Sequence, residues 1–442
     1  MFKAGFAKIN LQFALDPPMP IREPIEAVSM YLEDNDSRTV WITLDFMDFN
    51  RRVCDTLKCA VSYRTGIGEE NIHILTTHNH GGGTPILSRL SYLVASCAAE
   101  AISVARSALV RSAHTHTDKQ YNILRRLYIP ETESVSTLFF GACEENNFET
   151  ALFAENVIEA TERMKECNSI KDKCSSPRGK FPEGDKGIDI IEFVGEDKRS
   201  IGTIVRYAAH AVTANRQGSY SSDYPYYARK MINETLGTIT VFMNGPCAEI
   251  APAMLNKLEG RERVLGEAIA TLALNAIIDK APKPIESFTE RKAAVRLPVR
   301  HEVIENKVEI PTAESTNREK RKRIEAIRLE HTLPFLREKY LVGNPHPCDE
   351  IEVFIGVLHL GDITIAAFPG ETFYSTGEAL KSAFPTERII TVTEHERTVM
   401  YMPPLADHLL GGYESVCRVT APEAEQILRR EAIGIVENLL HG

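Results

Sequence analysis

The sequence predicts an α/β protein whose chemistry sits at strand ends. Apolar runs of strand length alternate with segments of helical spacing. Several of those runs stop at a histidine or a carboxylate. The composition agrees: 43% of the 442 residues are hydrophobic and 25% charged, as in a globular protein.

Taken in order, "TVWITLDFMDF" reads as a buried strand ending near Asp45, and "NRRVCDTLKCAVSYRTG" as a helix stopped by Gly66. "NIHILTT" is the next strand. "TPILSRLSYLVASCAAEAISVARSALV" reads as one long helix, with Pro85 in its first turn, where a missing N–H costs little. "SIGTIVRYAAHAV" is a strand, "YPYYARKMINETL" a helix and "GTITVFMNG" a strand. "EIEVFIGVLHLGDITIAAFPGE" reads as two strands joined at "LGD". "TFYSTGEALKSAF" and "APEAEQILRREAIGIVENLL" close the chain as helices. Lys165 to Gly187, rich in Lys, Ser, Pro and Gly, reads as a surface insertion. Nothing forces a domain break, so residues 1–442 are expected to form a single catalytic-type domain.

Several function classes are excluded early. A net charge of −10 with no long basic run does not suit nucleic acid or an anionic membrane surface. The dense cationic stretch Asn317 to His331 interleaves Glu319, Glu325 and Glu330 at helical spacing, the pattern of a solvated helix face. Nine scattered cysteines without a CxxC favour reduced thiols and a cytoplasmic setting. The first twenty residues hold no apolar core of a signal peptide, so none is expected. No apolar run reaches the about 18 residues of a membrane span.

The informative pattern lies where strands end. "IHILTTH" ends at His78, "TIVRYAAH" at His210 and "ITIAAFPGE" at Glu371. In α/β folds, sites form beyond strand ends. Two imidazoles and a carboxylate are a known catalytic zinc set. Each residue also has a plainer reading. A lone strand-end histidine is more often structural, and Glu371 suits the cap of the helix after it. His78 and His80 form an HxH pair, but so do His114 and His116, which read as surface or packing residues after a helix. What separates the pairs is Gly81, Gly82 and Gly83 after the first. Glycines permit close approach of a ligand or backbone, and N–H groups before a helix can hold an anion.

Beyond these features, a family resemblance emerges. Along "KAGFAKINL", "LTTHNHGGGTP", "IVRYAAHAVTA", "SSDYPYYARK", "FMNGPCAEIAPA", "IAAFPGETF" and "YMPPLADHLLGGYES", the chain resembles the catalytic domain of neutral, non-lysosomal ceramidases and their bacterial ceramidase-like relatives. The resemblance covers nearly the whole chain. It implies a layered sandwich of mixed β-sheets flanked by helices, with a metal site at strand ends. An immunoglobulin-like C-terminal domain is expected to be absent. The implied zinc ligands are His78, His210, Glu371 and Tyr401, with His80 beside the metal. A second family tyrosine falls on Tyr413, twelve residues beyond Tyr401.

From these roles, His80 is expected to carry a proton and Tyr413 to hydrogen-bond a developing oxyanion. Asp45 and Glu249 are candidates to orient the imidazoles from behind. Gly81 and Gly82 are expected to make room for substrate. Arg125, or its neighbour Arg126, is a candidate substrate contact or a surface residue. The expected activity is zinc-dependent hydrolysis of an N-acyl amide, ceramide-like or smaller, by attack of metal-bound water. Two departures from the family pattern stand against ceramide itself and leave an alternative open. Ala251 occupies the position of a family serine, and Glu249 that of an aspartate. The alternative is a degenerate member that binds a small molecule or partner without catalysis. A metal-dependent esterase or phosphoesterase is a weaker third option.

Overall fold

The computed structural model describes residues 2–34, 37–119, 121–129, 134–137, 184–214, 218–253, 260–341, 349–397 and 399–441. The expected insertion Lys165 to Gly187 lies outside them except for its last four residues. There Asp185 is buried and paired with Arg206 rather than set on the surface.

Two mixed sheets form the scaffold. The larger contains β1 (Lys3–Asn10), β2 (Glu26–Glu33), β3 (Arg38–Leu44), β4 (Ile72–Thr76), β5 (Arg106–His116), β6 (Gly187–Gly195), β7 (Ser200–Tyr207) and β8 (Thr240–Asn244), in the order β8-β7-β6-β5-β1-β2-β3-β4. The smaller contains β9 (Phe288–Pro298), β10 (Glu350–Leu360), β11 (Ile363–Ala367) and β12 (Arg388–Val392) in sequence order. Helices α1 (Arg51–Thr65), α2 (Leu87–Ser103), α3 (Asp223–Leu236), α4 (Arg261–Ile277), α5 (Asn317–Leu341), α6 (Tyr374–Ala383) and α7 (Ala424–His441) cover the outer faces.

Strand alternation explains the layering. On β4, Ile72 and Ile74 join a core with α1 and α2, while Leu75 joins the core between the sheets. Phe6, Trp41, Phe193 and Met243 share that inter-sheet core with Leu358, Ile365 and Ile390 of the smaller sheet. The outer face of the smaller sheet packs Leu297, Val353 and Ile355 on Leu333, Leu336 and Leu428. Among the described residues the result is a helix–sheet–sheet–helix sandwich with no closed barrel, the layered arrangement that the family resemblance implied.

Three parallel pairings set up the site: β3 with β4, β7 with β8, and β11 with β12. Each crosses over through one helix, α1, α3 or α6. The carboxyl ends of these strands lead into the loops carrying the expected site residues.

Two local expectations need correcting. Pro85 lies in a two-residue strand paired with Leu15, and α2 starts only at Leu87. The long helix also ends earlier than expected. "ARSALV" leaves it to become β5, because Ala108 and Val110 pack from one face into the inter-sheet core and Ala113 from the other face into a separate core. His114 and His116 therefore sit on a strand, exposed, with His114 Nδ1 2.8 Å from Asp189. Among the described residues no helix is long and apolar enough to cross a membrane.

Candidate functional site

Four sequence segments converge beyond the strand ends. His78 follows β4, His210 follows β7, Glu371 follows β11, and Tyr401 pairs with Glu371 in a two-residue parallel ladder. His78 Nε2 and His210 Nε2 each lie 3.3 Å from Glu371 Oε2. Tyr401 Oη lies 3.5 Å from His210 Nε2. His78, His80 and His210 also bring ring nitrogens within 4.8 Å of one another. All four expected ligands are buried, whereas His80 is half-exposed.

The outer nitrogens decide the tautomers. His210 Nδ1 lies 3.0 Å from the Ile250 carbonyl, and His78 Nδ1 lies 3.1 Å from that of Met47. A carbonyl only accepts, so each Nδ1 carries the proton. With both rings neutral, as metal ligation requires, both Nε2 lone pairs face Glu371 Oε2, a buried oxygen with no hydrogen-bond donor of normal geometry among the described residues. Imidazoles held from behind around a carboxylate are what a divalent metal requires. The residues present fit such an ion.

Local backbone supports this convergence. His78 adopts φ +54°, a left-handed conformation unusual for a side-chain-bearing residue, and Met400 and Glu394 do so too. Asn244 ties the loops together, donating to Thr77 O (3.3 Å) and Ala209 O (3.1 Å) while accepting from Ala209 N.

The electrostatics are anionic. Burial opposes charge on His78, but Glu394 and Glu371 overcome it and raise its pKa to about 9. Burial also disfavours the Glu371 carboxylate, yet His78 and His210 hold it well below the usual range. Burial, then Glu371, pushes the Tyr401 phenol up, while Arg125 pulls it down. His210 moves the other way: burial, then Arg125 and His78, lower its pKa to about 3, so its ring stays neutral.

Several expected roles need revision. Asp45 does not orient an imidazole; its two oxygens take Arg229 Nη1 (2.7 Å) and Nη2 (2.6 Å) in a fully buried pair. Among the described residues it reaches the site through Thr77 Oγ1 and through its carbonyl, which accepts from Asn79. Glu249 also faces away from the histidines, accepting the Tyr374 N–H at 3.0 and 3.1 Å. It thus holds the start of α6, the role that Glu371 offered on sequence grounds.

The glycines do not clear a substrate floor. A Cβ on Gly81 would meet Ser221 O at 2.5 Å, on Gly82 Asp45 O at 2.2 Å, and on Gly83 the Tyr220 ring at 2.1 Å. They admit neighbouring protein, and the Gly81 N–H already donates to Asn79 Oδ1. Arg125 is neither on the surface nor directed to open space. It is buried, donating to Tyr401 Oη (3.1 Å) and Glu414 Oε1 (2.9 Å). Arg126 Nη1 donates to the other oxygen of Glu414. Tyr413 packs its ring 5.4 Å from that of Tyr401.

Glu394 escaped the sequence reading. Its Oε1 lies 3.3 Å from His78 Nδ1, reached through a loop after β12 that hydrogen-bonds back to Thr76 N. The signal was present, since "ITVTEHE" also ends an apolar run in carboxylates and a histidine.

Comparison with solved structures decides the fold. A neutral ceramidase from Pseudomonas aeruginosa superposes with TM-score 0.67 at 13% identity, covering 99% of this chain and 75% of that one. This chain has a ceramidase-like fold. A ceramidase complexed with C2 superposes equally well, with TM-score 0.66, 13% identity and the same coverage. No family model matches the sequence, and no curated protein matches it significantly. The ceramidase-like fold is therefore visible in three dimensions, while the two sequences share few residues.

Proposed function

We propose that this protein is a zinc-dependent hydrolase of an amide in a lipid-like or smaller N-acyl substrate. One observation carries the reading: the Nε2 atoms of His78 and His210 converge on Glu371 Oε2, with Tyr401 in register beside it. The ceramidase-like fold supports the amide as substrate class.

His78, His210, Glu371 and Tyr401 would hold the ion. When bound, zinc supplies Lewis-acid polarisation and lowers the pKa of water. The remaining steps belong to the chain. His80, with Nε2 3.4 Å from His78 Nε2, takes a proton and returns it to the leaving amine. Tyr413 donates a hydrogen bond to the developing oxyanion. Arg125 offsets negative charge on Tyr401. The backbone carbonyls of Met47 and Ile250 keep both imidazoles in the ligating tautomer.

The non-catalytic reading has one observation in its favour: Ala251, in the family's serine position, is a buried strand residue with no reactive group. Mass-spectrometric detection of free acid and amine from a panel of N-acyl amides separates the two. Turnover by zinc-loaded protein, lost in His80→Ala with metal retained, supports the hydrolase. Stoichiometric zinc without turnover of any panel member would leave only binding.

A further inference from the structure

Away from the site, a second histidine cluster lies between the two sheets. His73 Nδ1 is 2.9 Å from His395 Nε2, His73 Nε2 is 2.5 Å from Glu290 Oε1, and His395 Nδ1 is 3.0 Å from the Phe354 carbonyl. Trp41 stacks on His73 at 4.1 Å. Gly356 faces both rings, where a Cβ would come within 2.8 Å of His73 and 3.0 Å of His395. Both histidines are fully buried.

Hydrogen-bond logic fixes the protons. Phe354 O only accepts, so His395 Nδ1 carries hydrogen. A neutral His395 then has a bare Nε2, which needs a donor from His73 Nδ1. A neutral His73 in turn has a bare Nε2, which needs a donor from Glu290. The chain is satisfied only if one proton beyond those of an ionised Glu290 and two neutral rings resides on it. We propose that this single proton, held on Glu290 and passed on as hydrogen bonds through His73 to His395, ties β9 and β10 to β4 and to the loop carrying Glu394.

The same atoms suggest a metal, since His73, His395 and Glu396 bring ligand atoms within 4.8 Å of each other. The surrounding charge argues against it. Lys292 Nζ lies 2.6 Å from Glu396 Oε1, and Lys58 Nζ lies 3.0 Å from Glu396 Oε2. Asp55 offsets Lys58 at 3.3 Å. Both Glu396 oxygens are thus taken by ammonium groups, so the carboxylate that would complete a metal set is already paired twice. Burial and Lys292 keep His73 from charging, and burial holds His395 down at about 3 despite Glu396. Glu290 is raised to about 7 by burial, against Lys292 and His395 and with help from Glu70 and Glu396.

The position of the chain gives the proton its effect. Glu396 N donates to Ile74 O, and Thr76 N donates to Glu394 O, so the loop is stitched to edge strand β4. His395 holds the middle of that loop, one residue from Glu394.

The test compares wild type with Glu290→Gln, whose amide N–H replaces the proposed donor. A raised carboxyl contributes stability that is complete below its ordinary value of 4.5 and is lost as pH rises through about 7. The wild-type folding constant should therefore fall by up to tenfold per pH unit across that window relative to the variant, and run parallel above it. Nitrogen-15 spectra should show both His73 and His395 as neutral, Nδ1-protonated rings. Parallel stability curves, an unfolded Glu290→Gln, Nε2-protonated rings, or a second equivalent of zinc lost in His73→Gln would each overturn the proposal.

Discussion

Glu371 and Tyr401 are direct register partners in a two-residue parallel ladder, so backbone pairing fixes the carboxylate beside the phenol. Neither residue is reached by a flexible loop tip; both are buried. Tyr401→Phe should keep the fold and weaken zinc binding by more than the about 10–100-fold typical for loss of an outer partner. Titration with a competing zinc chelator measures this. Unchanged affinity would remove Tyr401 from the ligand set.

Glu394 should behave as an outer partner. Glu394→Gln keeps shape and removes the charge 3.3 Å from His78 Nδ1. Zinc affinity is expected to fall about 10–100-fold. Calorimetric zinc titration checks it, and wild-type affinity in the variant would reduce Glu394 to a loop-packing residue.

Asp45 is expected to matter for folding rather than chemistry. Asp45→Ala strands Arg229 in the core, a loss of about 3–5 kcal/mol for a broken buried pair. Denaturant unfolding should report that loss, while zinc content per folded molecule stays at wild-type level. Loss of zinc without loss of stability would restore the orienting role.

The glycines give a parallel contrast. Gly82→Ala forces a Cβ against the Asp45 carbonyl and should cost about 1–3 kcal/mol through overpacking. Thermal melting reads this directly. A stable Gly82→Ala with impaired substrate binding would instead favour a substrate floor.

Glu249 sets a pH dependence. Burial, opposed by its backbone hydrogen bonds, raises its pKa to about 8 from an ordinary value of 4.5. Its raised value means that the folded state binds the extra proton, so its contribution is complete below 4.5 and lost as pH rises through about 8. Wild type should lose up to about 1.4 kcal/mol per pH unit in that window relative to Glu249→Gln. Equal slopes would contradict the assignment.

Much of the fold was legible because three strand–helix–strand units are local in sequence and their strands are rich in buried apolar residues. The strand-end positions of His78, His210 and Glu371 followed from that periodicity. Roles that depend on which side chains meet across distant segments were not legible. Asp45 meets Arg229, 184 positions away, and Arg125 meets Glu414, 289 away. No local spacing encodes such partners. The glycines misled for a related reason: the absence of a side chain has the same appearance whether ligand or protein fills the space. Glu394 was missed because its carboxylate approaches from behind His78, through a loop after the last strand of the other sheet.

Elemental analysis of purified, folded protein tests the central claim most directly, with wild type, His78→Ala and His80→Ala measured side by side. The account predicts one zinc per wild-type chain, zinc lost in His78→Ala and zinc retained in His80→Ala. A correctly folded wild type that takes up no zinc from a zinc-supplemented buffer would contradict it.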